Sequence, residues 1–465
     1  MTRHFACGAA IAALMTAPAL AETVTVTSAA DAGAGSLRAA LEAAASAEAP
    51  VQILLASGDI ALESGLVYAG RAPLTLIGRG QVLSGAANET LLTVAQGADL
   101  TVSDLTFAGP GGFSIEARGD LDGPAGKGLF VDLRDDQEGV MRLVLDGVTV
   151  RDVAGHGIHV SDCSLADDCG GGGGGAGEGS AAGISVVLTG VTVERVGQGR
   201  FDADGLRVDE RGAGDIEAVL IGSTFTGVGA DGVELDEGQE GSVRVTAIDT
   251  SFTANGDYCH PDLLGAFLPE ADEGEFEEGA MAEADIPGPV TGSPDDGCFE
   301  REVDTYDDGS VEAYEFAIDT DDGFDVDEAG PGSVIAVLSG IRISDNFDEG
   351  LDYDEEDEGD IVLTLSGLTG EGNSDDAVKM SEEGEGDVRA LVDGSEARDN
   401  GGKGMVFEEA DGGDLDVSLA ETRTSGNDGG ETGLEAVQED DGAGRLQVTG
   451  GEIADGVETE GVDRM

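Results

Sequence analysis

Short stretches in which apolar and polar residues alternate recur along this chain, and each is followed by an acidic, glycine-containing turn. In GLDYDEEDEGDIVL, residues 350–363, Leu351 and Tyr353 alternate with carboxylates. Related stretches begin at residues 204, 231, 322, 376 and 403. Because successive side chains of a strand point to opposite faces, this pattern predicts strands with one buried face.

These stretches repeat at a constant interval. One apolar position recurs every 27 residues in most successive copies, and the step from 233 to 324 is 91 residues, or 27 plus 64. This apolar column consists of Leu206, Val233, Phe324, Leu351, Val378 and Met405. Short strands at a fixed period, with glycine at the corners, predict an all-β solenoid of stacked coils that holds this column inside.

The acidic composition limits the kinds of molecule that the protein can bind. Asp and Glu number 97 against 23 Lys and Arg, which gives a formal net charge of −74 over 465 residues. This charge repels phosphates and excludes nucleic acid as a partner. It also disfavours direct contact with anionic membranes or glycans unless a cation bridges the two surfaces.

The N-terminus predicts export. Residues 1–21, MTRHFACGAAIAALMTAPALA, combine an early arginine, an apolar run and a final small-x-small sequence, which is typical of a signal peptide. The apolar run is too short for a membrane span, and no later run reaches the needed length. We therefore expect a periplasmic or extracellular protein, monomeric and without a transmembrane segment.

Two insertions interrupt the repeats. We expect residues 22–50 to form an N-terminal strand and capping helix, and residues 51–465 to form the coils, with insertions at about 162–183 and 257–316. The longer insertion is either a lid over the coil surface or a mobile decoration. Local pairing within the insertions predicts the disulfides Cys163–Cys169 and Cys259–Cys298, and two other connectivities remain open.

Residues 25–47, TVTSAADAGAGSLRAALEAAASA, resemble the N-terminal segment of exported bacterial right-handed parallel β-helix proteins of the pectin-lyase-like class. The matching motif is GSLRAA at 35–40, with glycine and alanine in place of the usual cysteine and glutamate. Leu37, Leu41 and Ala44 fall on one face of a helix suited to covering the open end of the stack. The resemblance implies the fold and export. Pectate lyases, polygalacturonases, adhesins and structural proteins share this fold, so the function stays open.

The repeat register places two columns of acidic side chains on one outward, exposed face, with about 4.8 Å between coils. Carboxylates at that spacing repel one another, which favours a bound cation, and ligands that are all oxygen suit Ca²⁺. The predicted metal ligands are Glu234, Asp236, Asp325, Asp327, Asp352 and Asp354. The alternative is a solvated acidic face that keeps the protein soluble.

We therefore expect an exported β-helix protein that binds divalent cations and interacts with a polysaccharide or a cell-surface partner. One alternative is a Ca²⁺-dependent polysaccharide lyase or glycoside hydrolase with Arg207 and Lys379 as catalytic candidates, although these lie several coils apart and the columns lack aromatic platforms. A second alternative is an adhesin-like structural solenoid. The sequence GHG at 155–157 resembles a polygalacturonase motif, but the register places His156 at a turn position that Asp204 occupies in the next coil.

Overall fold

Successive coils of the chain pair in parallel with one another. The computed structural model describes residues 21–118, 125–163, 179–288, 290–306, 308–439 and 442–465. Each strand of a central coil pairs with the equivalent strand of the next coil, in parallel. The fold of the described residues is a parallel β-helix, and the all-β prediction is confirmed.

One strand of each coil belongs to a sheet of 12 described strands, called here the narrow sheet. Its strands are Leu66–Tyr68, Leu92–Val94, Leu129–Asp132, Ile158–Ser161, Leu206–Glu210, Val233–Glu237, Phe324–Ala329, Leu351–Asp357, Lys379–Gly384, Val406–Glu409, Leu434–Gln438 and Val457–Glu460. Val233 pairs with Phe324, so the sheet is continuous across the longer insertion.

The remaining strands of the coils join in a sheet of 24 described strands, called here the wide sheet. Its strands are Glu22–Val26, Val51–Leu55, Ile60–Leu62, Leu74–Gly85, Leu100–Ala108, Glu138–Asp146, Thr149–Arg151, Ala181–Thr189, Thr192–Glu194, Ile216–Ile221, Thr224–Thr226, Val243–Ile248, Ser251–Thr253, Val334–Ser339, Arg342–Ser344, Ile361–Ser366, Thr369–Glu371, Val388–Asp393, Glu396–Arg398, Leu415–Ala420, Arg423–Ser425, Gly444–Thr449, Glu452–Ile453 and Val462–Arg464.

The core runs along the inside of the coils. Every member of the predicted apolar column is fully buried, and Leu206, Val233, Phe324 and Leu351 pair in succession. Stacking identical positions removes apolar surface from water at every coil, which stabilises the solenoid without a compact centre.

A short helix, Leu37–Ala44, follows the first strand. Ser36 caps it by accepting a hydrogen bond from the backbone N–H of Ala39 at 3.2 Å. Leu37, Leu41 and Ala44 are buried in the core, so the predicted apolar face is the face that packs.

A buried asparagine ladder, not predicted from the sequence, stabilises one corner of the coils. Asn255 donates from Nδ2 to Oδ1 of Asn346 at 3.0 Å, and Asn346 donates in the same way to Asn373 at 3.0 Å. Asn373 donates to Asn400 at 2.9 Å, and Asn400 donates to Asn427 at 2.7 Å. Each amide satisfies its neighbour, which removes the penalty for burying polar groups.

The longer insertion has its own small core. Its antiparallel strands are Glu273–Glu275, Phe299–Thr305 and Val311–Ile318, and its helical turns are Pro261–Leu264 and Glu283–Asp285; a further turn, Asp428–Gly430, lies in the coils. Cys259 and Cys298 form the predicted disulfide, with Cα atoms 5.4 Å apart. Cys169, the expected partner of Cys163, and most of the predicted signal peptide lie outside the described residues.

The insertion packs on the turns that precede the narrow-sheet strands. The backbone N–H of Tyr258 donates to the carbonyl of Gly229 at 2.9 Å, and the His260 ring lies 4.9 Å from the Phe347 ring. Whether the insertion acts as a lid stays a prediction. No helix in the described part of the chain is long and apolar enough to cross a membrane.

Candidate functional site

Two columns of outward side chains on the narrow sheet contain the six predicted metal ligands and, at opposite ends, the two catalytic candidates Arg207 and Lys379. We call them the acid face. The first column is His159, Arg207, Glu234, Asp325, Asp352 and Lys379, and the second is Ser161, Asp209, Asp236, Asp327, Asp354 and Ser381. The predicted metal ligands are therefore neighbours on consecutive coils.

The prediction that these carboxylates are exposed is wrong. Glu234, Asp236 and Asp352 are only 5%, 0% and 8% exposed, and the other three predicted ligands are half-buried. The cause is close stacking between coils together with two guanidinium groups, of Arg207 and Arg211, that cover Asp236. Burial lowers the local dielectric and makes uncompensated charge more costly.

Arg207 compensates the charge at one end of the acid face. Its Nε donates to Oδ1 of Asp209 at 2.7 Å, its Nη2 donates to Oδ2 of Asp236 at 3.1 Å, and Nη1 contacts Glu234. Burial opposes the charge, but these carboxylates outweigh it and raise the pKa of Arg207 well above its usual value. A guanidinium held in this way keeps its proton, so Arg207 is unavailable as a base.

Three basic side chains extend this end of the acid face. Nε2 of His159 lies 2.6 Å from Oδ2 of Asp209, Lys127 contacts the other ring nitrogen, and the His156 and His159 rings are 4.6 Å apart. Burial lowers the pKa of Lys127 to about 8 and that of His159 to about 3. Sequence reasoning missed Lys127; the signal was the match between GKGLFV and GHGIHV, which start successive coils.

Lys379 compensates the opposite end. Its Nζ donates to Oδ2 of Asp352 at 2.8 Å and lies 3.9 Å from Oε1 of Glu349. Although burial acts against the charge, the nearby carboxylates raise the pKa of Lys379. Four coil steps separate Lys379 from Arg207, about 19 Å at the strand spacing, so the two cannot act on one sugar ring.

The middle of the acid face has no cation of its own. Among the described residues, no hydrogen bond or ion pair reaches the carboxylates of Asp325, Asp327 or Asp354. Burial and the neighbouring Asp236 carboxylate raise the pKa of Asp327 to about 7, and burial with Asp352 raises that of Asp354. Glu234, Asp325 and Asp327 each place a carboxylate oxygen within 4.8 Å of the other two.

Turn residues beside the acid face add carboxylates that sequence reasoning did not select. Asp322, Asp348 and Glu349 form a second group of oxygens within 4.8 Å, and Asp202 and Asp204 form a third with Glu234. Asp204 and Asp322 share one turn position of the repeat, which was the available signal. Carboxylate oxygens without nitrogen or sulfur donors suit hard divalent cations.

Comparison with known proteins gives only distant likenesses. No family model and no curated protein matches the chain. The solved pectate lyase Pel9A shares 14% identity over 93% of this chain and 78% of that one, with a TM-score of 0.34. The periplasmic alginate epimerase AlgG shares 9% identity over 89% of this chain and 77% of that one, also with a TM-score of 0.34. Likenesses at this level assign neither an activity nor a substrate to this chain.

Proposed function

We propose that the protein binds a divalent cation, for which Ca²⁺ is the best fit, in the middle of its acid face, and that this ion holds a polysaccharide bearing carboxylate groups. The observation that carries the proposal is the group of Glu234, Asp325 and Asp327, whose oxygens lie within 4.8 Å of one another. Arg207 contacts Glu234, so the two aspartates carry the uncompensated charge of this group. Ca²⁺ binds oxygens at about 2.4 Å, so one ion fits between oxygens separated by about twice that distance.

The distribution of charge supports an ion over a solvated acidic surface. Arg207 and Lys379 compensate the two ends of the acid face, whereas Asp325, Asp327 and Asp354 receive no partner from the described residues. Side chains that are half-buried are not free to be fully hydrated, and repulsion between them is stronger than in water. A cation from solution removes this repulsion.

A polysaccharide with carboxylate groups is the partner that this chemistry fits. The net charge of −74 repels such a chain unless a cation lies between the two. A surface ion keeps coordination positions for a second carboxylate, because Ca²⁺ takes about 6–8 oxygens. A neutral glycan fits less well, since the two columns of the acid face contain no Tyr, Phe or Trp, and Phe130, which continues the first column beyond His159, is only 4% exposed.

The proposal is one of binding and not of catalysis. Arg207 and Lys379 are both held in ion pairs that keep them protonated, which leaves neither free to remove a proton from a sugar. The disulfide Cys259–Cys298 suits the oxidising compartment in which an exported polysaccharide-binding protein acts.

Titration calorimetry with CaCl₂ tests the ion. We expect saturable binding by the wild type and at least a tenfold weaker affinity in Asp325→Asn. Asp416→Asn, an exposed position on the wide sheet, is the matched control and should bind as the wild type does. Identical responses to CaCl₂ and to NaCl at equal ionic strength would contradict the proposal in favour of a solvated acidic surface.

Affinity electrophoresis in polygalacturonate tests the partner. Retardation is expected with Ca²⁺ and not with a chelator, and it should be lost in Asp325→Asn. A neutral dextran gel serves as the control polymer. Retardation that is equal with and without the ion would mean that the polysaccharide is held by another surface.

A further inference from the structure

Six glutamates form a second acidic column that lies inside the coils. Glu210, Glu237, Glu328, Glu355, Glu382 and Glu409 pair in succession along the narrow sheet. We call this column the glutamate ladder. Each member directly follows an outward residue, so its side chain shares the inward phase of the apolar core, and all six are at most 1% exposed. The ladder is separate from the acid face, which lies on the other side of the same strands.

The ladder contains oxygens without donors. Apart from the neighbouring carboxyl groups of the ladder, no donor reaches either carboxylate oxygen of Glu328 and of Glu355, or one oxygen of each of Glu210, Glu237, Glu382 and Glu409. Burial and the neighbouring carboxyl groups raise the pKa of Glu328 to about 11 and that of Glu355 to about 8, so without a cation the ladder takes up protons. Some of the other oxygens cap the following turn; Gly386, for example, donates its backbone N–H to Oε1 of Glu382 at 2.9 Å. The unpartnered oxygens are too buried for bulk water to satisfy them, and an orphaned buried acceptor is rare in a native protein.

Backbone carbonyls line the same row. Gly332 lies so close to both kinds of oxygen that a side chain would not fit. A Cβ atom added to it would be 1.6 Å from the carbonyl oxygen of Gly241 and 2.2 Å from Oε1 of Glu328. On Gly359 it would lie 1.8 Å from the carbonyl oxygen of Gly332 and 2.3 Å from Oε1 of Glu355. Each of these buried glycines therefore adjoins both a carbonyl and a carboxylate oxygen.

These carbonyls are acceptors without donors as well. In the described part of the chain, no hydrogen bond outside the strands ends on the carbonyl oxygen of Gly241, Gly332 or Gly359. Carbonyl and ionised carboxylate oxygens only accept hydrogen bonds, so they cannot satisfy one another. A positive charge has to lie between them, and its source is either a proton or a cation.

We propose that the glutamate ladder holds a row of Ca²⁺-type divalent cations between successive coils, inside the β-helix. Neighbouring coils are about 4.8 Å apart, and an ion midway between two stacked carboxylates has oxygens at about 2.4 Å, the usual Ca²⁺ distance. The adjoining glycine carbonyls supply further oxygen ligands of the kind that Ca²⁺ accepts. The ions are structural, because each joins one coil to the next.

The residue that ends the ladder carries no charge and leaves no interval for an ion beyond Glu409. Gln438 pairs with Glu409 and continues the column without a charge. Its Oε1 accepts from the backbone N–H of Leu415 at 2.9 Å, and its Nε2 donates to the carbonyl of Glu439 at 3.0 Å. The neutral amide thus has its own hydrogen-bond partners at this position, whereas the oxygens of Glu328 and Glu355 need a positive charge between them, from a proton or a cation.

Metal counting on the full mature chain tests the inference. The protein is saturated with CaCl₂, passed through a calcium-free desalting column and analysed for calcium per chain. Because Glu355 borders two intervals of the ladder, we expect Glu355→Gln to retain about two ions fewer than the wild type. Glu358→Gln, an exposed turn position with the same charge change, should retain the wild-type number.

Two further variants keep the test decisive. Gln438→Glu extends the ladder by one interval, and we expect it to retain about one ion more, so the inference remains testable if Glu355→Gln does not fold. Asp325→Asn changes the acid face alone and should leave the ladder ions in place, which separates this inference from the proposed function.

Terbium provides a second signal: Tyr353 lies two residues before Glu355 on the same side of the strand, about 7 Å away, and should sensitise Tb³⁺ emission. Tyr353→Phe should remove that emission without changing the calcium count.

Protons are the competing occupant. If Glu355→Gln and Gln438→Glu both leave the retained calcium unchanged, the ladder is filled by shared protons and the inference is wrong.

Discussion

Lys379 donates from Nζ to Oδ2 of Asp352 across 2.8 Å, whereas Asp325, which pairs with Asp352 in the sheet, has no such partner among the described residues. Lys379 therefore supplies a cation to the carboxylate of Asp352, whereas no described side chain does so for Asp325. A coil with an internal cation has a compensated carboxylate at any Ca²⁺ concentration. A coil without one depends on an ion from solution.

Replacing Lys379 should leave Asp352 without an internal cation, so that its charge depends on an ion from solution. Lys379→Met leaves Asp352 buried and unpaired, so we expect the apo protein to lose about 2 kcal/mol of unfolding free energy. We also expect the calcium-induced rise in melting temperature to exceed that of the wild type. Differential scanning calorimetry with CaCl₂ and with a chelator measures both quantities.

The control for this change is Arg389→Met, which removes solvent-accessible ion pairs with Asp360 and Asp387. Exposed pairs contribute at most about 1 kcal/mol, so its calcium response should match the wild type. An equal calcium response in Lys379→Met and the wild type would show that Asp352 takes no part in ion binding.

The register of the acid face could be predicted from the sequence because a β-helix converts a linear period into stacking. Once Leu206 and Val233 were aligned, the positions of Glu234 and Asp236 followed. Burial could not be predicted, because it depends on where long side chains such as Arg211 fold back, and periodicity does not specify side-chain conformation. The inward phase of Glu210 was missed because a carboxylate directly before a turn looks like part of that turn.

The asparagine ladder was missed for a different reason. Asn346 and Asn373 precede the strands, in corners where the apolar pattern gives no signal. Their equal spacing in the sequence was visible, but an asparagine in a turn is common, and only the observed side-chain bonds show that these amides are stacked.

Breaking the asparagine ladder should lower stability strongly. Asn373→Ala removes an amide that donates to Asn400 and accepts from Asn346, so partners on both adjoining coils remain buried and unpaired. We expect a loss of about 2–4 kcal/mol in unfolding free energy. Urea denaturation measures it, with the exposed neighbour change Ser374→Ala as the control. A loss below about 1 kcal/mol would mean that water replaces the amide.

Burial of Lys127 should make the free energy of unfolding depend on pH in the alkaline range. Burial lowers its pKa from 10.5 to about 8, so between these values the unfolded state binds more protons than the folded state. The free energy of unfolding contributed by Lys127 therefore rises with pH across this window. Lys127→Met should be more stable than the wild type at pH 7, by up to about 3 kcal/mol, and this advantage should shrink toward pH 10.

The comparison of the two proteins at each pH cancels the titration of groups that they share. Denaturation at pH 7, 8.5 and 10 follows the difference. A constant difference over this range would mean that Lys127 keeps its ordinary pKa in the folded protein.

Removing the disulfide should loosen the insertion and leave the coils intact. Cys259 and Cys298 close a loop of 39 residues, for which the chain-entropy effect is about 4 kcal/mol. In the double serine variant, we expect faster hydrogen exchange in Phe299–Thr305 and unchanged exchange in Val243–Ile248 of the wide sheet. Faster exchange in both segments would show that the insertion stabilises the coils themselves.

Removing two carboxylates from the middle of the acid face should have opposite effects on the apo and calcium-bound proteins. Asp327 and Asp354 pair on adjoining coils, and neither receives a hydrogen bond or ion pair from the described residues. In the apo protein, Asp327→Asn with Asp354→Asn removes repulsion, so the melting temperature should rise by a few degrees. With calcium, the same change deletes ligands, so the rise caused by the ion should be mostly lost. Asp354→Ser alone is a mild version of the change, because Ser381 holds that position one coil later. A solvated surface would give a small salt effect that is the same for Na⁺ and Ca²⁺, and only bound calcium makes the two states respond in opposite directions.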